Sequence, residues 1–506
     1  MKAIPSDILE TIVARRKADI AVLGFELGCA VPKTRNRKIV PFLEKRGVIL
    51  EIKRASPSKG DIAPSLDAVK TALTYAASGA GVISVLTEMH WFKGSLNDLI
   101  AVSAALGNTA VLRKDFLLEP EEIDVAYRCG ADAVLLIARI LTKEKLLKMA
   151  GRCAVLGISA LVEVRLASDV EKFRESLQQF PKTVIAGVNS RDLSNFTVDA
   201  LQPAKYLTVL NSRVVYESGV LTQEKAALVS SMGFHGMLLG EAAARNPEKA
   251  SSLVSAFLST GLSPSGRFWI KTAEIINKNK IMSDCKPLIK ICGLTQKRDA
   301  VKAAKLGAHF LGFICTRTSP RYVTGECIKD IVSTIKAEIP FENTLTKPLF
   351  IGVITDPFSK EAAAAFQLVK DEILDAIQFH NCRMPSPLDF CFTDIGRYEA
   401  LKIGSFEDVK KMEQNVLSGC PRILLDASVA GKDGGTGCVI PENLVAAALK
   451  SVPLWLAGGI NAENVVQIIQ KFHPELIDIS SGIESEPGKK DFVKMEKLFS
   501  LIKSCS

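Results

Sequence analysis

The hydrophobic positions of this chain gather into short, nearly continuous runs rich in Val, Ile and Leu. Each run is followed by a stretch in which apolar residues recur at helical spacing. Runs of this kind suit strands buried on both faces, and their alternation with helical segments is the signature of parallel βαβ units. In the first half they predict strands near 48–54, 82–88, 110–116, 133–139, 159–164, 184–190, 213–218 and 236–240, with helices between them such as EPEEIDVAYRCGA (119–131) and TKEKLLKMAGRC (142–153). The second half repeats the rhythm near 288–294, 310–316, 349–355, 376–380, 397–403, 423–428, 454–459 and 477–481. Eight βα units joined by right-handed crossovers close into a barrel. The predicted fold class is therefore α/β, with two tandem (β/α)8 TIM barrels joined by a short linker.

Residues 1–260 form the first predicted domain, 261–285 the linker and 286–506 the second domain. The linker starts Ser/Pro/Gly-rich, and TAEIINKNKI within it has the pattern of a short helix. About 45 residues precede the first strand and read as an extra helix plus loop able to lie over the barrel mouth. Their helix start is signalled at Ser6 or Asp7, and no apolar core with a cleavage site marks a signal peptide. Segments 336–348 and 381–396 are longer than a compact barrel needs.

The last two strands of each half end in small-residue turns: YESGV (216–220) and LLGEA (238–242), then LAGGI (456–460) and ISSGI (479–483). Barrels of this kind commonly hold a phosphate at those two loops. Two such cradles imply two sites for phosphorylated metabolites.

Bulk composition narrows the function. A hydrophobic content of 47% and a charged content of 24% are ordinary for a globular protein, and no apolar stretch approaches the roughly 20 residues that span a bilayer. The net charge of +9 has no long basic run or aromatic-interleaved stripe, which favours small anionic substrates over nucleic acid. The twelve cysteines include no CxxC, and the five histidines no HxxxH. Reduced cysteines, a cytoplasmic location and no zinc site are expected.

In the first half, alternation puts Glu51 and Lys53 on one face at the C-terminal end of strand one, where barrel enzymes work. Strand three offers Lys114, strand five Glu163, strand six Asn189, and strand seven ends in Glu217 and Ser218. Lysines and carboxylates sharing a cavity shift one another's proton affinities, which separates acid from base near neutral pH. The set LEIKRASPSKG, VLTEMHWFKGSLNDL, VLRKDF, ALVEVR, GVNSRDL, ESG and LLGEA closely resembles indole-3-glycerol phosphate synthase across residues 1–260. The resemblance implies closure of an anilino-deoxyribulose phosphate onto its carbonyl, with loss of carbon dioxide and then water. It implies Lys53 and Lys114 as cationic acids, Glu163 as general base, and Glu51 and Asn189 as positioning groups. Phe92 and Phe116 would flank the anthranilate ring, while Ser218, Gly219 and Gly240 would hold the phosphate. Glu241, beside that cradle, is expected to turn its carboxylate away.

In the second half, Cys292 ends strand one, followed by Gly293, which is expected to leave space beside the sulfur. Asp426 ends strand six, followed by the Gly-rich loop GKDGGTG (431–437). KICGLT, SPRYV, QFH, LLDAS with GGTG, LAGGIN and DISSGIESEPGKKD strongly resemble phosphoribosylanthranilate isomerase over about 286–506. That resemblance implies isomerisation of an aminoaldose to an aminoketose, with Asp426 protonating the furanose oxygen and Cys292, as thiolate, removing the C2′ proton. The thiolate would need a lowered pKa, for which the substrate iminium and Lys290 are candidate causes. Arg321 would bind the anthranilate carboxylate, Gly459, Ser481 and Gly482 the phosphate, and His380 would line the pocket. QFHN departs from the family's commoner ending in Gly.

The product of the second reaction is the substrate of the first, so the resemblances together imply a bifunctional tryptophan-biosynthesis enzyme. It needs no metal or organic cofactor, has no nucleic-acid or membrane partner, and is expected to be monomeric. Another pair of phosphosugar barrels, such as histidine-pathway isomerases, would favour paired aspartates where Cys292 stands. A scaffold of inactive barrels would show gaps in the ionisable sets, and neither set has one.

Overall fold

The strands form as the hydrophobic runs require. In the computed structural model, residues 8–192, 197–282, 286–339, 347–382, 395–417, 419–427 and 440–505 are described. The chain divides into two units, Met1–Gly261 and Leu262–Ser506. Each unit contains a closed, eight-stranded parallel barrel in which every strand pairs with its neighbours in chain order and the last pairs with the first. The strands run Gly47–Ile52, Val82–Leu86, Ala110–Lys114, Ala133–Ile137, Ser159–Val164, Val184–Asn189, Val214–Glu217 and Gly236–Leu239 in the first unit. In the second they run Leu288–Ile291, Phe310–Ile314, Leu349–Ile354, Ala376–His380, Arg397–Ile403, Ile423–Ala427, Trp455–Leu456 and Leu476–Ile479. Several predicted strands extend too far at their C-terminal ends, because there the chain leaves the ladder to build the mouth loops. The expected Ser6 or Asp7 cap, loop 431–437 and most of segments 336–348 and 381–396 lie outside the described residues.

Strand alternation sets the layers of the first barrel. Ile49, Leu112, Leu161, Val215 and Leu238 belong to one buried apolar cluster. Two residues further along the same strands stand Glu51, Lys114, Glu163, Glu217 and Gly240, on the same face and one layer nearer the C-terminal mouth. Helix Ile8–Leu23 supplies Ile8, Leu9 and Ile12 to that cluster, so the predicted N-terminal helix does pack at the mouth. A buried cation on the helix fixes it there: Arg16 donates through Nε to Glu122 at 3.0 Å and pairs with Asp115 at 3.3 Å.

The segment expected as a linker carries helix Pro264–Met282, which groups with the second unit. Its aromatic pair decides this. Phe268 and Trp269 are buried, Phe268 stacks on Tyr398 at 6.1 Å, and Trp269 meets Trp455 at 6.3 Å. Tyr398 and Trp455 lie at the starts of their strands, so the helix closes the N-terminal end of the barrel. Lys271 adds an ion pair to Asp375 at 2.7 Å.

Candidate active sites

The first barrel brings Glu51, Lys53, Lys114, Glu163, Asn189, Ser218, Gly219, Gly240, Phe92 and Phe116 into the wall of one cavity at its C-terminal mouth. Glu51, on the first strand, holds both lysines: Lys53 Nζ lies 3.1 Å from its Oε1 and Lys114 Nζ 3.2 Å from its Oε2. Burial pushes the Glu51 carboxyl up, but Lys114 and Lys53 outweigh burial and bring it down to about 2. Burial lowers the proton affinity of Lys114, but Glu51, then Glu217 and Glu163, outweigh it and hold the lysine above its ordinary range. Glu163 moves the other way. Burial raises it, with Lys114 and a hydrogen bond from Asn189 Nδ2 at 3.3 Å opposing.

Glu217, which the sequence placed at the end of strand seven without a role, is the further member of this group. It ends the seventh strand, is 1% exposed, and is raised well above the usual carboxylate range by burial and then by Glu163, to which it is hydrogen-bonded. Burial raises both carboxyls, and a raised proton affinity makes Glu163 a stronger base. A charged residue ending an apolar strand at the same height as Glu163 was the available signal.

Both aromatic rings line the cavity. Phe92 and Phe116 have ring centroids 6.1 Å apart, and Lys53 Nζ lies 5.5 Å from the Phe92 centroid. Glu88 fixes Phe92 by accepting its backbone N–H at 3.0 Å. In the turn after the seventh strand, Ser218 takes the left-handed conformation (φ 70°), followed by Gly219 at 71°. Glu241 does line the cavity, with its charge met by Arg245 at 3.1 Å and Arg191 at 3.7 Å. Arg191 also lines the cavity and was missed by sequence reasoning; it is the arginine of GVNSRDL.

The second barrel collects Cys292, Arg321, His380, Asp426, Gly459, Ser481 and Gly482 around a separate cavity. The room beside the sulfur has a different origin from the one expected. A Cβ on Gly312, on the second strand, would lie 2.7 Å from Cys292 Sγ, whereas one on Gly293 would meet Arg321 Cδ at 2.7 Å and Ser480 Oγ at 2.9 Å. Gly312 therefore accommodates the thiol, and Gly293 the arginine.

The expected lowering of the Cys292 pKa is corrected. Burial raises the thiol above its ordinary value, and Lys290 only partly opposes this. Lys290 is already committed: its Nζ lies 2.6 Å from Asp478 Oδ2 and donates to Gln378 Oε1 at 2.6 Å, one layer below the mouth. Arg321 is bound bidentately by Glu484, with Nε to Oε1 at 2.9 Å and Nη2 to Oε2 at 2.6 Å, which fixes the guanidinium plane. His380 Nδ1 faces Gln378 Nε2 at 3.2 Å, and its Nε2 lies 3.6 Å from Asp426 Oδ2. The amide donates to Nδ1, so the neutral ring carries its proton on Nε2, facing Asp426. The departure QFHN also has a physical reading. Asn381 has φ 48°, a left-handed position that Asn tolerates better than most residues and glycine best.

Sequence reasoning also missed Lys402, a cavity residue in register with Asp426 on the neighbouring strand. Among the described residues, no group of three or more His, Cys, Asp or Glu is arranged to hold a metal ion, and no helix is long and apolar enough to cross a membrane.

The sequence model of the indole-3-glycerol phosphate synthase family matches residues 9–255, and that of N-(5′-phosphoribosyl)anthranilate isomerase matches residues 289–500. A multifunctional tryptophan biosynthesis protein of Schizosaccharomyces pombe is 32% identical over 98% of this chain, which spans 66% of that protein. A tryptophan biosynthesis protein of Phytophthora nicotianae is 28% identical, with 98% of this chain and 97% of the relative covered. An indole-3-glycerol phosphate synthase of Bacillus thuringiensis is 39% identical over 46% of this chain and 92% of its own length. The chain belongs to the indole-3-glycerol phosphate synthase family through its first barrel and to the phosphoribosylanthranilate isomerase family through its second.

Proposed function

We propose that the chain catalyses two consecutive steps of tryptophan biosynthesis, the second barrel acting first. The second barrel isomerises N-(5-phosphoribosyl)anthranilate to 1-(2-carboxyphenylamino)-1-deoxyribulose 5-phosphate. Asp426 gives a proton to the furanose oxygen, the ring opens to an iminium, and Cys292 removes the C2′ proton. The resulting enol-amine tautomerises to the ketose. Arg321 faces the anthranilate carboxylate, while Gly459, Ser481 and Gly482 hold the phosphate. Burial raises the free thiol; the cationic iminium favours the thiolate, whose proton is given up to solvent before the C2′ proton is taken.

The first barrel closes the indole ring. The aryl carbon attacks the C2′ carbonyl, carbon dioxide leaves, and water leaves last. Lys114 and Lys53, cationic beside Glu51, polarise the carbonyl and supply protons to the oxygen, and Glu163 accepts a proton as general base. Asn189 orients Glu163, and Phe92 and Phe116 hold the aromatic ring. Ser218, Gly219 and Gly240 form the phosphate end, helped by Arg191. The monomer is the proposed working form, in the cytoplasm.

The observation that carries this reading is the pair of mouth-facing cavities, each lined by its own ionisable side chains and a small-residue turn. Phosphoribosylanthranilate supplied to the full chain should be converted first to the carboxyphenylamino ketose and then to indole-3-glycerol phosphate. Accumulation of neither compound would overturn the reading.

A further inference from the structure

One buried cation in the second barrel is used by none of the steps above. Lys490 lies on the short strand Lys489–Lys490, antiparallel to Glu484–Glu486, just past the eighth barrel strand. Its side chain is fully buried, an unusual position for a lysine. Its ammonium has three donors, and three acceptors meet them: the backbone carbonyl of Cys292 at 2.7 Å, the carbonyl of Ser480 at 3.1 Å and Glu484 Oε1 at 2.8 Å. Burial lowers its pKa, and Glu484 opposes this most.

Those acceptors belong to three different parts of the site. Cys292 carries the base. Ser480 immediately precedes the turn of Ser481 and Gly482. Glu484 is the carboxylate that clamps Arg321. The strand bearing Lys490 is itself pinned, since its backbone N–H donates to Asp299 Oδ2 at 2.8 Å. A cation placed only to stabilise the fold would need one counter-ion; this one spans the thiol-bearing backbone, the phosphate turn and the carboxylate reader. Holding reacting groups at fixed separations is what lowers the entropic barrier to reaction.

We propose that Lys490 is a positioning residue of the isomerase, fixing the Cys292 backbone, the Ser480–Gly482 turn and, through Glu484, Arg321 in one frame. The inference rests on the isomerase reading above. Lys490 touches no reacting atom; it acts through the groups it holds.

The test uses the full chain with Lys490→Met, Glu484→Gln and the double variant. Lys490→Met should lower isomerase kcat/KM by about 10²-fold, with KM rising and kcat falling together, because both binding and base placement are disturbed. Inorganic phosphate, used as a competitive inhibitor of the isomerase, should bind more weakly. The indole-forming rate from the ketose should stay at its wild-type value. Glu484→Gln keeps the volume and should raise KM with a smaller effect on kcat. The double variant should cost less than the product of the two singles, since both act in one network. A purely structural lysine would lower the melting temperature and the titrated fraction of active sites, leaving kcat, KM and phosphate inhibition per active site unchanged; that outcome overturns the inference. Multiplicative effects in the double variant would also overturn it. Cys292→Ser, run in parallel, separates the two levels. Loss of isomerase in Cys292→Ser with a normal Lys490→Met enzyme refutes the positioning role alone. A fully active Cys292→Ser enzyme removes the base assignment and the inference with it.

Discussion

In the N-terminal barrel the ionisable groups stop at the mouth. Below Glu51, Lys114, Glu163 and Glu217 stand Ile49, Leu112, Leu161 and Val215, all buried and apolar. In the C-terminal barrel the charge goes one layer deeper. Below Cys292, His380 and Ser480 stand Lys290, Gln378 and Asp478, tied together at 2.6 Å, with Tyr398 donating to Gln378 at 2.8 Å. The same backbone plan thus raises proton affinities by burial in both sites, against different neighbours. An apolar floor raises Glu163 and Glu217 by desolvation, giving the first site a base from an ordinary carboxylate. In the second site Lys290 opposes the desolvation of Cys292 while Asp478 adds to it, and the thiol stays raised; under the proposed mechanism, charge on the substrate iminium must complete the task.

The largest effects should separate the barrels cleanly. Glu163→Gln or Lys114→Met should lower indole formation by at least ~10²-fold, the scale of a lost acid or base, and leave the isomerase unchanged. Asp426→Asn and Cys292→Ser should do the reverse. Rates measured from each purified substrate check this, and a crossed effect would break the comparison.

Next in size is the floor itself. Lys290→Met leaves Asp478 buried without its cation, which should cost the second barrel about 3–5 kcal/mol. Adding Asp478→Leu should recover most of that. In a Trp91→Phe background, Trp269 and Trp455 are the remaining tryptophans, so denaturation followed by their fluorescence reads the second unit alone.

Acid should act unevenly as well. Burial lowers His309, on the second unit, to about 4, and its Nδ1 accepts the backbone N–H of Ile289 at 3.1 Å. Between pH 6.5 and 4 the unfolded chain takes up a proton that the folded barrel refuses. Stability is therefore lost as pH falls through that window, by about 2–3 kcal/mol. Glu51, lowered from 4.5 to about 2 in the first unit, keeps its contribution down to about pH 4.5 and loses it only between there and pH 2. Denaturation midpoints at pH 7 and pH 4.5 should fall for the second unit, and His309→Gln should flatten its dependence. The smallest expected change is Asn381→Gly, which relieves a left-handed residue and should alter stability by no more than about 1 kcal/mol, with isomerase rates intact.

Much of this was legible in the chain because strand alternation is rigid. A residue two positions beyond a buried Leu or Ile in the same strand must face the same way, so Lys114 and Glu163 could be placed at the mouth from spacing alone. What escaped depends on contacts between distant segments. Gly312 makes room for a sulfur 20 residues earlier in the chain, and Glu484 meets Arg321 across 163 residues. Lys290 was visible beside Cys292, but its commitment to Asp478, 188 residues away, was not, nor was the burial that raises the thiol. The packing of the segment read as a linker was hidden for a related reason: Phe268 and Trp269 look like isolated aromatics until Tyr398 and Trp455 are brought beside them.

The central claim is that each barrel holds a complete and separate active site. It is tested most directly by mixing two full-length variants, Glu163→Gln and Cys292→Ser, and supplying phosphoribosylanthranilate. Neither variant alone should yield indole-3-glycerol phosphate at more than about a hundredth of the wild-type rate. The mixture should restore the product, because the ketose made by one chain's second barrel is consumed by the other chain's first. A mixture as inactive as its components, under conditions where wild-type chain makes the product, would contradict two self-sufficient sites.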